Sequence, residues 1–134
     1  MSKYEVIIIG GGPGGLTAGL YTSRAGLKTL LIERGIIGGQ IVNAQQVENY
    51  PGFPDGISGF ELTSLMHKQA TKYGLETETS NVTGLRSEQV FTVLTTNGDF
   101  DAEAIIIAAG AEYQKLGISG EERFLGHGIS YCAT

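Results

Sequence analysis

Residues 4 to 33 read YEVIIIGGGPGGLTAGLYTSRAGLKTLLIE, and their pattern determines the expected topology. Tyr4 to Ile9 is a β-branched run of the kind that lies buried in a parallel sheet. Pro13 to Ala25 has the length of a helix that ends before Gly26. Lys28 to Glu33 is a second buried strand. Strand, helix and strand within about 30 residues form a βαβ unit, so the sequence predicts an α/β fold with a parallel sheet and a right-handed crossover.

Three glycines in this stretch, Gly10, Gly12 and Gly15, fit the pattern G-x-G-x-x-G. The pattern is informative only through its context, because 21 of the 134 residues are glycine. Here it directly follows a strand and opens a helix, and Glu33 ends the next strand, as in a dinucleotide-binding loop. In such a loop Gly10 permits the tight turn and Gly12 lets the backbone approach a pyrophosphate. Gly15 then allows the helix to pack closely on the strand.

The start of the helix and the end of the second strand define the expected ligand further. Pro13 and Gly14 lie in the first helical turn, whose free N–H groups and partial positive charge attract phosphates. Glu33 is suited to accept hydrogen bonds from ribose hydroxyls and to repel a 2′-phosphate, which disfavours NADP at this site. Arg34 either offsets that repulsion or is a solvated surface residue. The loop predicts NAD or FAD and does not choose between them.

The rest of the chain predicts one more long helix and a small antiparallel β-meander. Ser58 and Glu61 form a capping box ahead of an apolar face that ends at Gly74. Short strands are expected at residues 75–79, 82–86, 90–96, 100–102 and 104–108, with Asn97-Gly98 as a type I′ turn. Residues 34–58 form a long glycine-rich loop, which in a compact domain is usually functional. Residues 111–134 are expected to be loop.

Composition and charge exclude several classes of protein. A net charge of −5 is a poor match for nucleic acid or an anionic membrane. The single cysteine excludes a disulfide framework within the chain, and His67 and His127 show no metal-ligand spacing, so no metal site is expected. No apolar run reaches the ~18 residues of a membrane helix. The N-terminus enters the first strand without a signal peptide, so we expect a cytoplasmic protein.

Five segments carry a resemblance to a known family. They are residues 7–18 (IIIGGGPGGLTA), residues 38–40 (GGQ), residues 47–54 (VENYPGFP), residues 104–111 (AIIIAAGA) and residues 126–134 (GHGISYCAT). In this order and spacing they resemble the low-molecular-weight thioredoxin reductases, FAD-dependent members of the pyridine nucleotide-disulfide oxidoreductases. The resemblance covers the whole chain.

The resemblance implies FAD as the cofactor and gives further residues a role in binding it. Gly39 and Gln40 would lie along the flavin side, and Asn49 would hydrogen-bond the isoalloxazine ring. Val82 would contact the adenine end. Ala109 and Gly110 would let the chain pass close to the FAD. The family usually has threonine at the position of Ala109, which here loses a hydroxyl but keeps a small side chain.

The resemblance also implies a reaction. In the family, NADPH passes a hydride to FAD, the flavin reduces a Cys-x-x-Cys disulfide, and the dithiol reduces thioredoxin or a similar small disulfide protein. Cys132 matches the first cysteine of that pair, whose thiolate attacks the partner's disulfide. Members of the family form homodimers.

By the same resemblance, residues 1–116 are an incomplete N-terminal segment of the FAD-binding domain. Residues 117–134 then lead toward an NADPH-binding and redox-disulfide domain. We expect the chain to be a fragment that ends before the second cysteine and is inactive alone.

Three alternatives stay open. The first is a flavin-dependent reductase of another acceptor, a peroxiredoxin or a ferredoxin; the ferredoxin-linked relatives lack the cysteine pair. The second is a non-catalytic dinucleotide-binding redox module. The third is an NAD-dependent dehydrogenase, in which residues 38–40 and the loop of Asn49 would have no role.

Overall fold

The computed structural model describes residues 4–131, and its six strands form one sheet. The elements in chain order are β1 (Tyr4–Ile9), α1 (Pro13–Arg24), β2 (Thr29–Glu33), a 3₁₀ helix (Gly39–Asn43), α2 (Gly59–Thr71), β3 (Glu76–Thr79), β4 (Val82–Ser87), β5 (Phe91–Thr95), β6 (Gly98–Ile107) and α3 (Glu121–Phe124). The strands lie in the sheet in the order β3-β2-β1-β6-β5-β4. None of the helices described here has the length and apolar character needed to cross a membrane.

The predicted α/β class is confirmed. Strand β1 runs parallel to β2 on one side and to β6 on the other, and β2 runs parallel to β3. Strands β4, β5 and β6 form the antiparallel meander. Helix α1 connects β1 to β2, which completes the βαβ unit that the glycine motif predicts.

Apolar side chains fill both sides of the parallel strands. Ile7 and Ile8 are neighbours on β1, so they point to opposite faces of the sheet, and both are fully buried. Ile7 belongs to a cluster that includes Val93 of the meander. Ile8 belongs to a cluster that includes Leu16 of α1 and Ala70 of α2. The meander therefore covers one face and the two long helices the other, which leaves the carboxyl ends of the strands open.

Two features of the meander correct the sequence prediction. Residues 98–107 form one strand rather than two, because Ala102 pairs with Phe91 of β5 and also with Tyr4 of β1. Glu103 interrupts the apolar pattern but not the strand, because its side chain is exposed. The prediction of a type I′ turn at Asn97-Gly98 is also wrong. Thr95 pairs with Gly98, so the two turn residues are Thr96 and Asn97.

The helical ends follow the sequence more closely. Ser58 is the N-cap of α2, and its hydroxyl oxygen accepts the N–H of Glu61 at 3.1 Å, as the capping box predicts. Residues 111–131 are mostly loop, as expected, but they include the short helix α3.

Candidate functional site

A cavity of about 1070 Å³ opens at the carboxyl ends of the parallel strands. Ligand sites in proteins typically measure ~300–1,000 Å³, so this one suits a large ligand. Its lining includes Ile9 at the end of β1 and Glu33 at the end of β2. Ala108, directly after β6, lines the third side. Since β1 lies between β2 and β6, the chain connections diverge here, and open α/β sheets bind ligands at such a point.

The turn from β1 into α1 accepts only glycine at two positions. Gly10 has a φ of +110°, and a Cβ there would lie 2.2 Å from the carbonyl oxygen of Ala108. A Cβ at Gly15 would lie 1.8 Å from the carbonyl oxygen of Gly10. The loop is therefore packed against the residues that follow β6 at one end and against its own helix at the other.

The 3₁₀ helix closes over the same loop. Gly38 donates its N–H to the carbonyl oxygen of Gly11 at 2.8 Å. Gly39 has a φ of +67°, and a Cβ there would lie 2.9 Å from the Cα of Gly12. The two backbones therefore lie close together with no side chain between them. A backbone of this kind lets a diphosphate come close to main-chain N–H groups.

The N-terminus of α1 faces the cavity with N–H groups that have no partner within the helix. Gly12 is the N-cap and Pro13 the first helical residue, and the first turn contains no acidic residue. The first intrahelical bond runs from the N–H of Leu16 to the carbonyl oxygen of Gly12 at 2.9 Å. The N–H groups of Gly14 and Gly15 precede it and have no acceptor within the helix, so this end favours an anion.

Glu33 is held in place by two backbone donors. Its Oε2 accepts the N–H of Gly11 at 2.7 Å, and its Oε1 accepts the N–H of Gly35 at 2.9 Å. The side chain is half-buried and lines the cavity. Each carboxylate oxygen keeps a further lone pair, so Glu33 can still accept hydrogen bonds from a diol such as a ribose.

Two exposed side chains connect the β2 side of the cavity to the segment after β6. Arg34 forms an ion pair with Glu112, and the amide of Gln40 donates to the carbonyl oxygen of Ala111. The hydrogen bond to Arg34 lowers the pKa of Glu112, and the same bond raises the pKa of Arg34. Arg34, the cation of this lining, is thus already paired with a carboxylate in the described part of the chain.

Most of the residues singled out from the sequence meet in this cavity. Its lining includes Gly10, Gly12, Pro13, Gly14, Glu33, Arg34, Gly39, Gln40, Val82, Ala109 and Gly110. Gly15 is buried behind the loop and supports it without lining the cavity. Asn49 is exposed on the long loop and lies outside the lining. Cys132 lies outside the described residues.

Sequence reasoning did not find several lining residues. Ser80 and Asn81 line the cavity between β3 and β4, and Glu112 lines it beyond β6. The pairing of Leu30 with Glu76 makes β3 a parallel neighbour of β2, so the carboxyl end of β3 opens into the same site. Ligands bind at the carboxyl ends of parallel strands, and this general rule was the available signal for Ser80 and Asn81. Glu112 carries no local signal.

Comparison with known proteins agrees with this geometry. The chain matches the model of the pyridine nucleotide-disulphide oxidoreductases over residues 4–134. It belongs to the pyridine nucleotide-disulphide oxidoreductase family.

Individual relatives are more specific. The chain is similar to the thioredoxin reductase of Bacillus subtilis (strain 168), with 50% identity over 132 residues, which cover 98% of this chain and 42% of the relative. For the thioredoxin reductase of Listeria monocytogenes serovar 1/2a the identity is 51% over 132 residues, covering 98% of this chain and 41% of the relative. The crystal structure of Lactococcus lactis thioredoxin reductase (FR conformation) superimposes with a TM-score of 0.87 at 45% identity, covering 98% of this chain and 43% of that one. The chain thus spans about two fifths of the length of these relatives.

Proposed function

We propose that this chain is the FAD-binding part of a thioredoxin reductase-like enzyme. The observation that carries the proposal is the cavity at the ends of β1, β2 and β6, where Glu33 is fixed beside the glycine loop. A fixed carboxylate, a glycine cradle and a helix N-terminus are the three groups that a diphosphate-linked nucleoside needs. About 50% identity to thioredoxin reductases favours FAD over NAD as that ligand.

Within this proposal each part of the cavity binds one part of FAD. The loop from Gly10 to Gly15 and the first turn of α1, with Pro13 and Gly14, bind the diphosphate. Glu33 accepts the hydroxyl groups of the adenosine ribose, with Arg34 beside it at the rim. Val82 contacts the adenine.

The 3₁₀ helix and the segment after β6 take the flavin half. Gly39 and Gln40 come from the 3₁₀ helix, and Ala109 and Gly110 follow β6. Asn49 is proposed to hydrogen-bond the isoalloxazine ring from the long loop. When bound, FAD would supply the redox chemistry, taking electrons from NADPH and delivering them to a Cys-x-x-Cys disulfide.

The remaining residues serve the later part of the reaction in this proposal. Residues 1–116 belong to the FAD-binding domain, and residues 117–134 lead toward the NADPH-binding and redox-disulfide domain. The thiolate of Cys132 attacks the disulfide of thioredoxin or a similar small protein, displacing one of its two sulfurs as a thiolate. The whole protein is proposed to be a cytoplasmic homodimer.

Turnover by the full-length protein tests the proposal. Purified protein is mixed with NADPH and, in separate reactions, with oxidised thioredoxin, peroxiredoxin or ferredoxin. We expect NADPH to be consumed with thioredoxin, and Cys132→Ser to abolish this while the protein keeps its flavin. Turnover with ferredoxin that survives Cys132→Ser would favour the alternative acceptor. NADPH oxidation with none of the three would contradict the proposed reaction.

A further inference from the structure

The turn between β5 and β6 is bonded to one wall of the cavity from outside. That wall consists of Ser80 and Asn81, which connect β3 to β4, and of Val82, the first residue of β4; all three line the cavity. The turn residues Thr96 and Asn97 are exposed and do not line it. Any influence of the turn on a ligand must therefore act through the wall.

Thr96 is the main connection between the turn and the wall. Its hydroxyl oxygen accepts the N–H of Asn81 at 3.2 Å, and its own N–H donates to the carbonyl oxygen of Asn81 at 3.0 Å. The same hydroxyl lies 3.0 Å from the hydroxyl of Ser80, which is only 5% exposed. Thr96 thus satisfies a buried polar group in the wall as well as its backbone.

Asn97 adds a second connection, to residues that directly precede Ser80 in the chain. Its side-chain amide donates to the carbonyl oxygen of Thr79 at 3.0 Å and to a carboxylate oxygen of Glu78 at 3.2 Å. These bonds join the turn to the last residues of β3, just before the wall begins.

On its other side the wall is bonded to the strand that carries Glu33. The N–H of Ser80 donates to the carbonyl oxygen of Glu33 at 3.0 Å. Ser80 and Asn81 are thus held between Glu33 and Thr96. The distance between the carboxylate proposed to bind the ribose and the wall proposed to contact the adenine depends on both connections.

We propose that Thr96 is a positioning residue for the adenosine half of the dinucleotide, acting through Ser80 and Asn81. The inference rests on the proposed FAD site and adds a residue that does not touch the ligand. Thr96 sets the affinity for ligands that contain adenosine diphosphate, while the flavin end is independent of it.

Thr96→Val in the full-length protein tests this, because it removes the hydroxyl and keeps the shape of the side chain. We expect the Kd for FAD and the inhibition constant of ADP, measured by displacement of FAD, to rise together by about tenfold. At saturating FAD, the visible spectrum and the rate of reduction by NADPH stay those of the wild type. Thr96→Ser, which restores the hydroxyl, returns both constants to within twofold of wild type.

Thr92→Val is the matched control in the same meander. The hydroxyl of Thr92 donates to Asp101 at 2.8 Å, and neither residue lines the cavity. This variant should bind FAD as the wild type does. An equal loss in Thr92→Val would mean that the meander is merely destabilised, and would overturn the inference.

Other results would also overturn it. One is a Thr96→Val protein whose Kd for FAD stays within twofold of wild type. Another is a variant that binds FAD more weakly but keeps the wild-type inhibition constant of ADP. A third is a variant whose visible spectrum at saturating FAD differs from that of the wild type. If Thr96→Val does not fold, the exposed Asn97→Ala is the test, with a loss of about threefold expected for both ligands and no loss as the contradicting result. A wild-type protein that binds no FAD would contradict the proposed function and this inference with it.

Discussion

The carboxylate of Glu33 accepts the N–H of Gly11 at 2.7 Å, so the end of β2 holds the loop that leaves β1. The two residues are 22 positions apart and meet because their strands are parallel neighbours. This one bond places an acceptor for a ribose beside a backbone that can approach a diphosphate.

Replacement of Glu33 by glutamine should weaken FAD binding about tenfold. The substituted amide can accept only one of the two N–H groups that now reach the carboxylate, and hydrogen bonds to a charged group contribute about 1.5–3 kcal/mol. Isothermal titration of the full-length apoprotein with FAD measures the change. Glu5→Gln is the control, since Glu5 accepts the N–H of Lys28 at 2.8 Å far from the cavity. Equal affinities for Glu33→Gln and wild type would refute the role of this carboxylate.

Alanine at Gly15 should destabilise the fold, whereas alanine at Gly14 should not. A Cβ at Gly15 would lie 1.8 Å from the carbonyl oxygen of Gly10, while no atom of residues 4–131 lies within 4 Å of a Cβ at Gly14. We expect urea unfolding to show a loss of at least ~2 kcal/mol for Gly15→Ala. For Gly14→Ala the change should stay below ~1 kcal/mol. Equal stabilities of the two variants would show that the loop does not pack against its helix in this way.

The segment after β6 should lose its order at low pH through Glu121. This buried carboxylate accepts the hydroxyl of Tyr131 and the N–H groups of Leu116, at 2.8 Å, and Gly117, at 2.7 Å. The bond from Tyr131, followed by those from the backbone, lowers the pKa of Glu121. Because the pKa of Glu121 is lowered on folding, the carboxylate stabilises the folded segment at pH values above the ordinary pKa of glutamate. This stabilisation is lost as the pH falls through the lower pKa that Glu121 has in the folded segment.

Hydrogen exchange at the amides of Leu116 and Gly117 reports this change directly. In the wild type their protection factors should fall as the pH is lowered. In Glu121→Gln they should be low at every pH. The neighbouring Glu122 is the control, because it is exposed and pairs with Lys115 at 2.9 Å. Glu122→Gln should keep the wild-type pH profile. A pH-independent wild type would contradict the role of Glu121.

Local sequence patterns were sufficient for the βαβ unit and the glycine loop, because both depend on residues close in the chain. Ile7 and Ile8 identify a strand buried on two faces, and Gly10 and Gly15 meet contacts that only glycine allows. The meander was less predictable. The Asn97-Gly98 pair is a strong local turn signal, but the register set by Thr95 and Gly98 overrides it.

Contacts between distant segments were not predictable from one sequence. Ser80 and Asn81 reach the cavity because β3 lies beside β2, and Glu112 because it pairs with Arg34. The loop that carries Asn49 has too little periodicity to fix its path, and the structure leaves Asn49 exposed outside the lining. The proposed contact of Asn49 with the flavin stays a prediction.

The visible absorbance of the purified full-length protein tests the central claim most directly. We expect a yellow protein with the spectrum of an oxidised flavin, which releases FAD rather than FMN on denaturation. Protein stripped of its cofactor should regain the colour with added FAD. A protein that is colourless as purified and stays colourless after incubation with FAD would contradict the assignment of this cavity as an FAD site.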